Sequence, residues 1–155
     1  MTNLFQETLN KLKNELDYQP NEEIKMKISN IEESTFGVES PLWTFEGVII
    51  TLEDGTTFKI GIDYDQQCCE NAGYITSHDN YEDFIGADFL DYWITTKELC
   101  TIEDVPEIYE GDMLFYTIST NRGNLQFVAY NEHNGYYAHD VVIVKDSKIV
   151  EQESI

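Results

Sequence analysis

The first part of the chain has apolar residues at the spacing of a helix. Phe5, Leu9, Leu12 and Leu16 follow one another at intervals of four, three and four residues. That spacing places the four side chains on one face of an α-helix. Pro20 comes next and cannot continue a helix, because proline lacks the backbone N–H. We therefore expect a helix over residues 1–19.

After Pro20 the pattern changes to alternation, which is typical of half-buried strands. Ile24, Met26 and Ile28 alternate with Lys25 and Lys27. Similar patterns predict strands around residues 88–96, in "DMLFYTIST", in "LQFVAYNE", in "HDVVIVKD" and at residues 148–153.

The clearest hairpin surrounds the pair Asp54-Gly55, which suits the positive φ angles of a tight turn. Its two arms, 43–52 and 56–64, are rich in β-branched and aromatic residues. A short helix is expected to begin at Ser77 or Asp79 and to end near Gly86.

These elements predict one α+β domain, mainly antiparallel β, over residues 1–155. An N-terminal helix would join a β-rich body at 21–153. That body is expected to be a curved sheet or small barrel of about seven or eight strands, with one short internal helix.

Charge adds a strong constraint on partners. The chain has 9 Lys plus Arg and 30 Asp plus Glu, for a net charge of −21. Such a protein repels nucleic acids and anionic membranes and favours basic proteins. Between Asp63 and Asp112 there are fourteen acids and a single base, Lys97. The negative charge is therefore concentrated in the middle third of the sequence.

The ends and the cysteines suggest a compartment. No basic segment followed by an apolar run occurs at the N-terminus, and no apolar stretch is long enough to cross a bilayer. The three cysteines are odd in number and two of them, Cys68 and Cys69, are adjacent, unlike a disulfide scaffold. We expect reduced thiols and a cytoplasmic location, in the cytosol of a host cell.

Two separated stretches resemble a known group of sequences. The segments "QQCCENAGY", "FIGA" and "YNEHNGYYAH" are similar to those of a family of small uncharacterised proteins from Gram-positive bacteria, their phages and other mobile elements. The resemblance covers roughly residues 45 to 145. It implies a mobile-element context and no catalytic residue.

Three interpretations of the Cys68-Cys69 pair stay open. The pair could bind zinc together with His133 and His139, since thiolate and imidazole are the usual zinc ligands. Cys69 could instead be a nucleophile activated by His133, although the nearby acids would raise a thiol pKa. The favoured interpretation is structural, with the thiols partly buried near a loop.

The histidines and nearby acids allow similar alternatives. Asn134-Gly135 predicts a turn, and the imidazoles of His133 and His139 are expected to bond local backbone or the carboxylates of Glu132 and Asp140. A metal or acid/base pair is the alternative. Asp63, Asp65 and Glu70 could hold Mg²⁺ or Ca²⁺, but close carboxylates arise by chance in so acidic a chain.

The leading hypothesis is a non-enzymatic inhibitor without a cofactor. Its acidic face would imitate a nucleic-acid backbone, with exposed aromatic residues that include Tyr81, Tyr92 and Trp93. This face would bind and occlude a basic nucleic-acid-processing protein, such as a CRISPR effector nuclease of the Cas9 type. The runner-up is a small metal- or thiol-dependent enzyme that uses Cys69, His133 and His139. The predicted contact set is Asp79, Glu82, Asp83, Asp88, Asp91 and Tyr92, with a second patch of Glu103, Asp104, Glu107 and Glu110.

Overall fold

A computed structural model describes residues 26–63, 71–78, 80–95, 111–132 and 138–155. The described residues form nine antiparallel strands and one 3₁₀ turn, Glu82–Phe84. The strands are β1 Met26–Val38, β2 Ser40–Leu52, β3 Thr57–Asp63, β4 Asn71–Thr76, β5 Asp88–Thr95, β6 Gly111–Thr120, β7 Gly123–Glu132, β8 Asp140–Lys145 and β9 Lys148–Ser154. Their order in the sheet is β4-β7-β6-β5-β1-β2-β3-β8-β9.

The predicted α+β class is wrong, because the described part of the chain is antiparallel β apart from that one turn. The described ranges alone contain nine strands, where about seven or eight were expected. The N-terminal helix predicted over residues 1–19 lies outside the described residues. The hairpin predicted around Asp54-Gly55 is confirmed, with β2 and β3 paired from Phe45–Asp63 to Thr51–Thr57.

The predicted internal helix is reduced to a single turn for a tertiary reason. Phe84 N donates to Tyr81 O and Ile85 N donates to Glu82 O, which are the short bonds of a 3₁₀ turn. The next amide, Gly86 N, donates instead to Ile28 O of β1 at 2.7 Å. Gly86 also has a φ of 83°, so the chain leaves the helical conformation there.

The sheet is strongly curved. β5 and β1 pair over only two positions, Met26 with Phe89 and Lys27 with Asp88, so this junction divides the sheet into two halves. Phe58 of β3 nevertheless stacks on Phe89 of β5 with ring centroids 4.8 Å apart. In a flat sheet these strands would lie about 14 Å apart, because neighbours are spaced by about 4.8 Å. The halves therefore close on a shared core.

A glycine corner bends the second half, which consists of β1, β2, β3, β8 and β9. A Cβ atom on Gly47 would lie 1.9 Å from Ile60 O of β3, so no other residue fits this approach of the backbones. On the outer face the ring of Phe36 covers Gly61, whose Cβ position is 2.7 Å from a ring carbon. The end of the β1–β2 hairpin thereby encloses a second apolar cluster, which consists of Phe36, Val38, Phe45, Val142 and Val144.

The body has two distinct ends. The tight turns 53–56, 121–122 and 146–147 and the 3₁₀ turn lie at one end, called the turn end. The opposite end, called the dyad end, carries Asp63, Asn71, Gly111, Glu132 and His139. Asn71 and Gly111 both pair with Glu132, and Asp63 bonds His139. Segments 64–70 and 133–137 are therefore flanked by dyad-end residues on both sides. Segment 96–110 is flanked by Gly111 at this end and by Thr95, which pairs with Phe115 in the middle of β6.

Candidate functional site: the dyad end

A buried histidine–aspartate pair lies at the dyad end. Asp63 is the last residue of β3, and its Oδ1 is hydrogen-bonded to Nδ1 of His139, which immediately precedes β8. The second oxygen, Oδ2, accepts the backbone N–H of Asp140 at 2.9 Å. The His139 side chain is 2% exposed and that of Asp63 is 17% exposed. The carboxylate thereby fixes the orientation of the imidazole and ties the start of β8 to the end of β3.

The same residues join the two halves of the sheet. His139 N donates to Ile155 O at 2.7 Å, and Ile155 N donates to His139 O at 2.9 Å. Asn131 of β7, which is fully buried, donates from Nδ2 to Ile155 O at 3.0 Å. β7 belongs to the first half and β8 to the second, so this network closes the curved sheet at the dyad end.

The described residues that flank two of the sequence segments singled out above meet here. Asp63 and Asn71 flank the stretch that contains Cys68 and Cys69, and Glu132 and Ala138 flank the stretch that contains His133. The flanking residues are brought together by the Asp63–His139 bond and by the pairing of Asn71 with Glu132. Cys68, Cys69 and His133 themselves lie outside the described residues.

The runner-up metal or thiol site is only partly described. Cys69 and His133 lie outside the described residues, and His139 is buried beside Asp63. Among the residues that the structure describes, no group of three or more His, Cys, Asp or Glu side chains could hold a metal ion. The sequence predicted that the histidines bond local backbone or the carboxylates of Glu132 and Asp140. The carboxylate that contacts the imidazole of His139 is that of Asp63, 76 residues earlier in the chain.

The dyad end is strongly acidic. Five described carboxylates lie there, and the described strand ends around them carry no Lys or Arg. These acids are Asp63, Asp112, Glu132, Asp140 and Glu153. The sequence of segment 64–70 adds two more acids, and that of segment 96–110 adds five acids and Lys97.

The positive and negative charges at the turn end nearly balance. It has six acids, which are Glu53, Asp54, Glu82, Asp83, Asp88 and Asp146, and four bases, which are Lys27, Arg122, Lys145 and Lys148. Lys27 pairs with Asp88 at 3.0 Å. The guanidinium of Arg122 donates to Ile85 O at 2.8 Å and to Asp83 O at 3.3 Å. Four of the five described bases therefore offset acids at the end opposite the dyad.

The described acids of the first predicted contact set lie towards the turn end. Glu82 and Asp83 are exposed there, together with the ion-paired Asp88, whereas Asp79 lies outside the described residues. Asp91 pairs with Ser119, one residue before the end of β6.

The described acids of the middle third as a whole do not converge into one patch. Asp88 is bonded to Asn121, and Asp112, which is not in the contact set, lies eight residues before Thr120 on the adjacent strand. At about 3.3 Å per residue, Asp112 is roughly 26 Å from that level.

The second predicted patch consists of Glu103, Asp104, Glu107 and Glu110, which lie outside the described residues. Of the two residues that flank their segment, Gly111 pairs with Glu132 at the dyad end, whereas Thr95 pairs with Phe115 in the middle of β6. The patch therefore stays a prediction.

The expected exposure of the aromatics on β5 is wrong. Tyr92 is 8% exposed and Trp93 is 7% exposed. The Tyr92 ring packs against Phe58 and Phe89 at centroid distances of 5.6 and 6.5 Å, and burial raises the pKa of its hydroxyl. The neighbouring Asp91 accepts the Tyr92 N–H at 2.8 Å. Tyr92 is thus a core residue and offers no exposed ring to a partner.

One further polar cluster was not predicted from sequence. The hydroxyls of Tyr74 and Tyr81 both donate to Glu33 Oε1 at 3.3 Å, and Thr76 Oγ1 lies 3.0 Å from the Tyr81 hydroxyl. Burial, and then the Glu33 carboxylate, raise the pKa of Tyr74 well above its usual range. The cluster joins β4 to β1 across the core. Its residues are 41 or more positions apart from Glu33, so no local pattern could have indicated it.

Comparison with known proteins identifies the family. A family model described as a domain of unknown function, DUF7448, matches residues 9–143, and the chain belongs to this family. No curated protein and no solved structure matches the chain. No helix among the described residues is long and apolar enough to cross a membrane.

Proposed function

We propose that this member of the DUF7448 family is a non-enzymatic inhibitor that docks its dyad end in the basic groove of a nucleic-acid-processing protein. The observation that carries the proposal is the uneven placement of charge. Five described acids lie at the dyad end without a described Lys or Arg, whereas four bases lie at the turn end. The molecule therefore presents one end to a cationic surface.

Rigidity supports the same end as the docking surface. The Asp63–His139 bond and the Asn131–Ile155 bond hold together the strand ends that carry Asp140, Glu132 and Glu153. A docking surface whose backbone is already fixed loses less conformational freedom when it binds, so more of the contact energy appears as affinity. Clustered carboxylates on such a frame can displace a phosphate backbone from a basic groove.

The partner that we propose is a CRISPR effector nuclease of the Cas9 type in the host cytosol, which has a positively charged nucleic-acid channel. Complementary charge speeds association and makes binding weaken with salt. The support is the charge of −21 and the resemblance to proteins of phages and mobile elements. The mechanism is occlusion of the channel, and it requires no cofactor.

Two triple variants with equal charge change test the proposal. The dyad-end variant combines Asp112→Asn, Glu132→Gln and Glu153→Gln. The turn-end variant combines Glu53→Gln, Glu82→Gln and Asp83→Asn. The assay measures DNA cleavage by a purified Cas9-type nuclease at 50 mM salt as each protein is titrated, with co-elution from a sizing column as a direct measure of binding.

Inhibition should be about three- to 150-fold weaker in the dyad-end variant than in the wild-type protein, since three exposed charge pairs at about 0.2–1 kcal/mol each contribute about 0.6–3 kcal/mol. The turn-end variant should inhibit within about threefold of wild type. A third variant, with Glu103, Asp104, Glu107 and Glu110 changed to amides, should resemble the dyad-end variant. Absence of both binding and inhibition, or equal loss in the two triple variants, would contradict the proposal.

A second candidate, a small metal- or thiol-dependent enzyme, is favoured by one observation. A carboxylate on one imidazole nitrogen is the arrangement that orients metal-ligating and catalytic histidines, and His139 has it through Asp63. Cys69 and His133 would complete the site. Metal analysis of protein purified without chelator discriminates the two candidates. Stoichiometric zinc that is lost in a His139→Gln variant would favour the enzyme.

A further inference from the structure

A cavity lies on the outer face of the sheet, away from the dyad end. It has a volume of about 390 Å³ and lies between the tip of the β1–β2 hairpin and the β8–β9 turn. Val38 and Val144, which are 2% and 3% exposed, form its apolar floor. Sites for small molecules are commonly about 300–1,000 Å³, with apolar walls and a few polar groups. The cavity is therefore large enough for a compact metabolite.

Opposite charges line this cavity without neutralising each other. Lys59 of β3, Glu39 of the hairpin tip and Asp146 of the β8–β9 turn all contribute to the lining. Within the described part of the chain the Lys59 ammonium forms no ion pair, and it lies 5.8 Å from the centroid of the Phe36 ring. One oxygen of Asp146 accepts the N–H of Thr57 at 3.0 Å, while Glu39 is exposed at the rim.

This arrangement selects among ligand charges. A simple anion would be attracted by Lys59 but repelled by Glu39, Asp146 and the net charge of −21. A simple cation would be attracted by Glu39, Asp146 and the net charge of −21, but it would place a like charge beside Lys59 and leave that ammonium without a counter-charge. A zwitterion carries no net charge, so the overall field does not exclude it, and each of its charged groups finds an opposite charge in the lining.

We propose that the cavity binds a small zwitterion of the α-amino-acid type with an apolar side chain. Its carboxylate would contact the ammonium of Lys59, and its ammonium group would contact the carboxylate of Glu39. The apolar side chain would lie against the small part of Val38 and Val144 that the cavity leaves exposed. This site is independent of the proposed function, because its lining residues belong to the outer face and are not among the acids of the dyad end.

The test uses L-leucine as the probe and two analogues as charge controls. Leucinamide lacks the carboxylate, and N-acetyl-leucine lacks the ammonium group. The full-length protein is titrated with each compound up to 50 mM, and the methyl resonances of Val38 and Val144 are followed by NMR. Leucine should shift both sets of methyl signals in a saturable manner, and each analogue should bind about tenfold more weakly or not at all.

Single-residue variants test whether Lys59 and Glu39 contact the charged groups of the ligand. Lys59→Met and Glu39→Gln should each weaken leucine binding about tenfold. Lys145→Met is the matched control, since the Lys145 ammonium lies 5.9 Å from the Phe58 ring centroid and does not line the cavity. It should bind leucine like the wild type. Lys59→Arg, which keeps the charge, should bind leucine within about threefold of wild type if Lys59→Met proves poorly folded.

Three results would overturn the proposal. The first is the absence of shifts at Val38 and Val144 at 50 mM leucine. The second is equal binding of leucine and either analogue, which would show that one of the two charges has no role. The third is equal loss of binding in Lys59→Met and Lys145→Met.

Discussion

Removal of the Asp63 carboxylate should destabilise the protein more than removal of any exposed acid at the same end. The carboxylate accepts two hydrogen bonds, from His139 and from the backbone N–H of Asp140, and its side chain is 17% exposed. A hydrogen bond between a charged group and its partner contributes about 1.5–3 kcal/mol and an ordinary one about 0.5–1.5 kcal/mol. We therefore expect Asp63→Ala to lower the free energy of unfolding by about 3 kcal/mol.

The Asp63→Asn variant should show part of this loss in the free energy of unfolding. Asp63→Asn keeps one acceptor oxygen but places an NH₂ group against a donor, so its loss should be about half that of Asp63→Ala. Equilibrium urea unfolding, followed by far-UV circular dichroism and tryptophan fluorescence, measures both values. Asp112→Ala is the matched control, since Asp112 is exposed at the same end, and its effect should stay below about 0.5 kcal/mol.

A double-mutant cycle then separates the Asp63–His139 bond from general disruption. Asp63→Ala, His139→Ala and the double variant should show a coupling free energy of at least about 1 kcal/mol, because the side chains are in direct contact. An Asp63→Ala variant within about 0.5 kcal/mol of wild type, or a coupling near zero, would refute the inference that this pair ties β3 to β8.

Three further predictions concern other parts of the fold. Gly47→Ala should prevent stable folding, because its Cβ would lie 1.9 Å from Ile60 O. Gly73→Ala is the comparison, since its Cβ would meet only the flexible end of Tyr130 at 3.0 Å. It should fold, with a modestly lower melting temperature in a thermal melt. Tyr116→Phe should raise the unfolding midpoint in urea, since its buried hydroxyl has no hydrogen-bond partner among the described residues and an unsatisfied buried group costs about 1–3 kcal/mol. Burial, and then Glu153, raise the pKa of Glu151 above 4.5, so the charged form opposes folding once the pH rises through the folded pKa. Glu151→Gln should therefore be more stable than wild type at pH 7, with the difference lost below about pH 4 in unfolding curves measured across pH.

Local turn chemistry made part of the fold predictable. Asp54-Gly55 suits a tight turn, and Gly55 has a φ of 89° with strands on both sides, as the pattern indicated. Elements that depend on distant partners were not predictable in this way. The helix expected up to Gly86 ends early because that amide bonds Ile28, far away in sequence.

The pattern of apolar and polar residues did not predict which side chains of β5 are exposed, because this strand is buried on both faces. Tyr92 points into the core, and Trp93, on the opposite face of β5, is also only 7% exposed. The acids around them suggested an exposed strand. Successive side chains of a strand point to opposite faces, so the charge at Asp91 gave no information about the exposure of Tyr92. Trp93 is on the same face as Asp91, and no local pattern indicated that it is buried.

The candidate site was predictable in its residue types but not in its geometry. The sequence singled out His139, and Asp63 was considered as a cation ligand, yet their contact spans 76 residues and depends on the pairing of β3 with β8. The acidic middle third was evident from composition. Its division between the two ends follows from strand order, which no local pattern contains.

The uneven placement of charge is the central claim, and it can be measured residue by residue without a partner. Paramagnetic relaxation of amide protons by a cationic and by a neutral nitroxide cosolute gives the near-surface electrostatic potential. The account predicts a clearly more negative potential at the amides of Asp112, Glu132 and Glu153 than at those of Arg122 and Lys148. Equal potentials at the two ends would contradict the account.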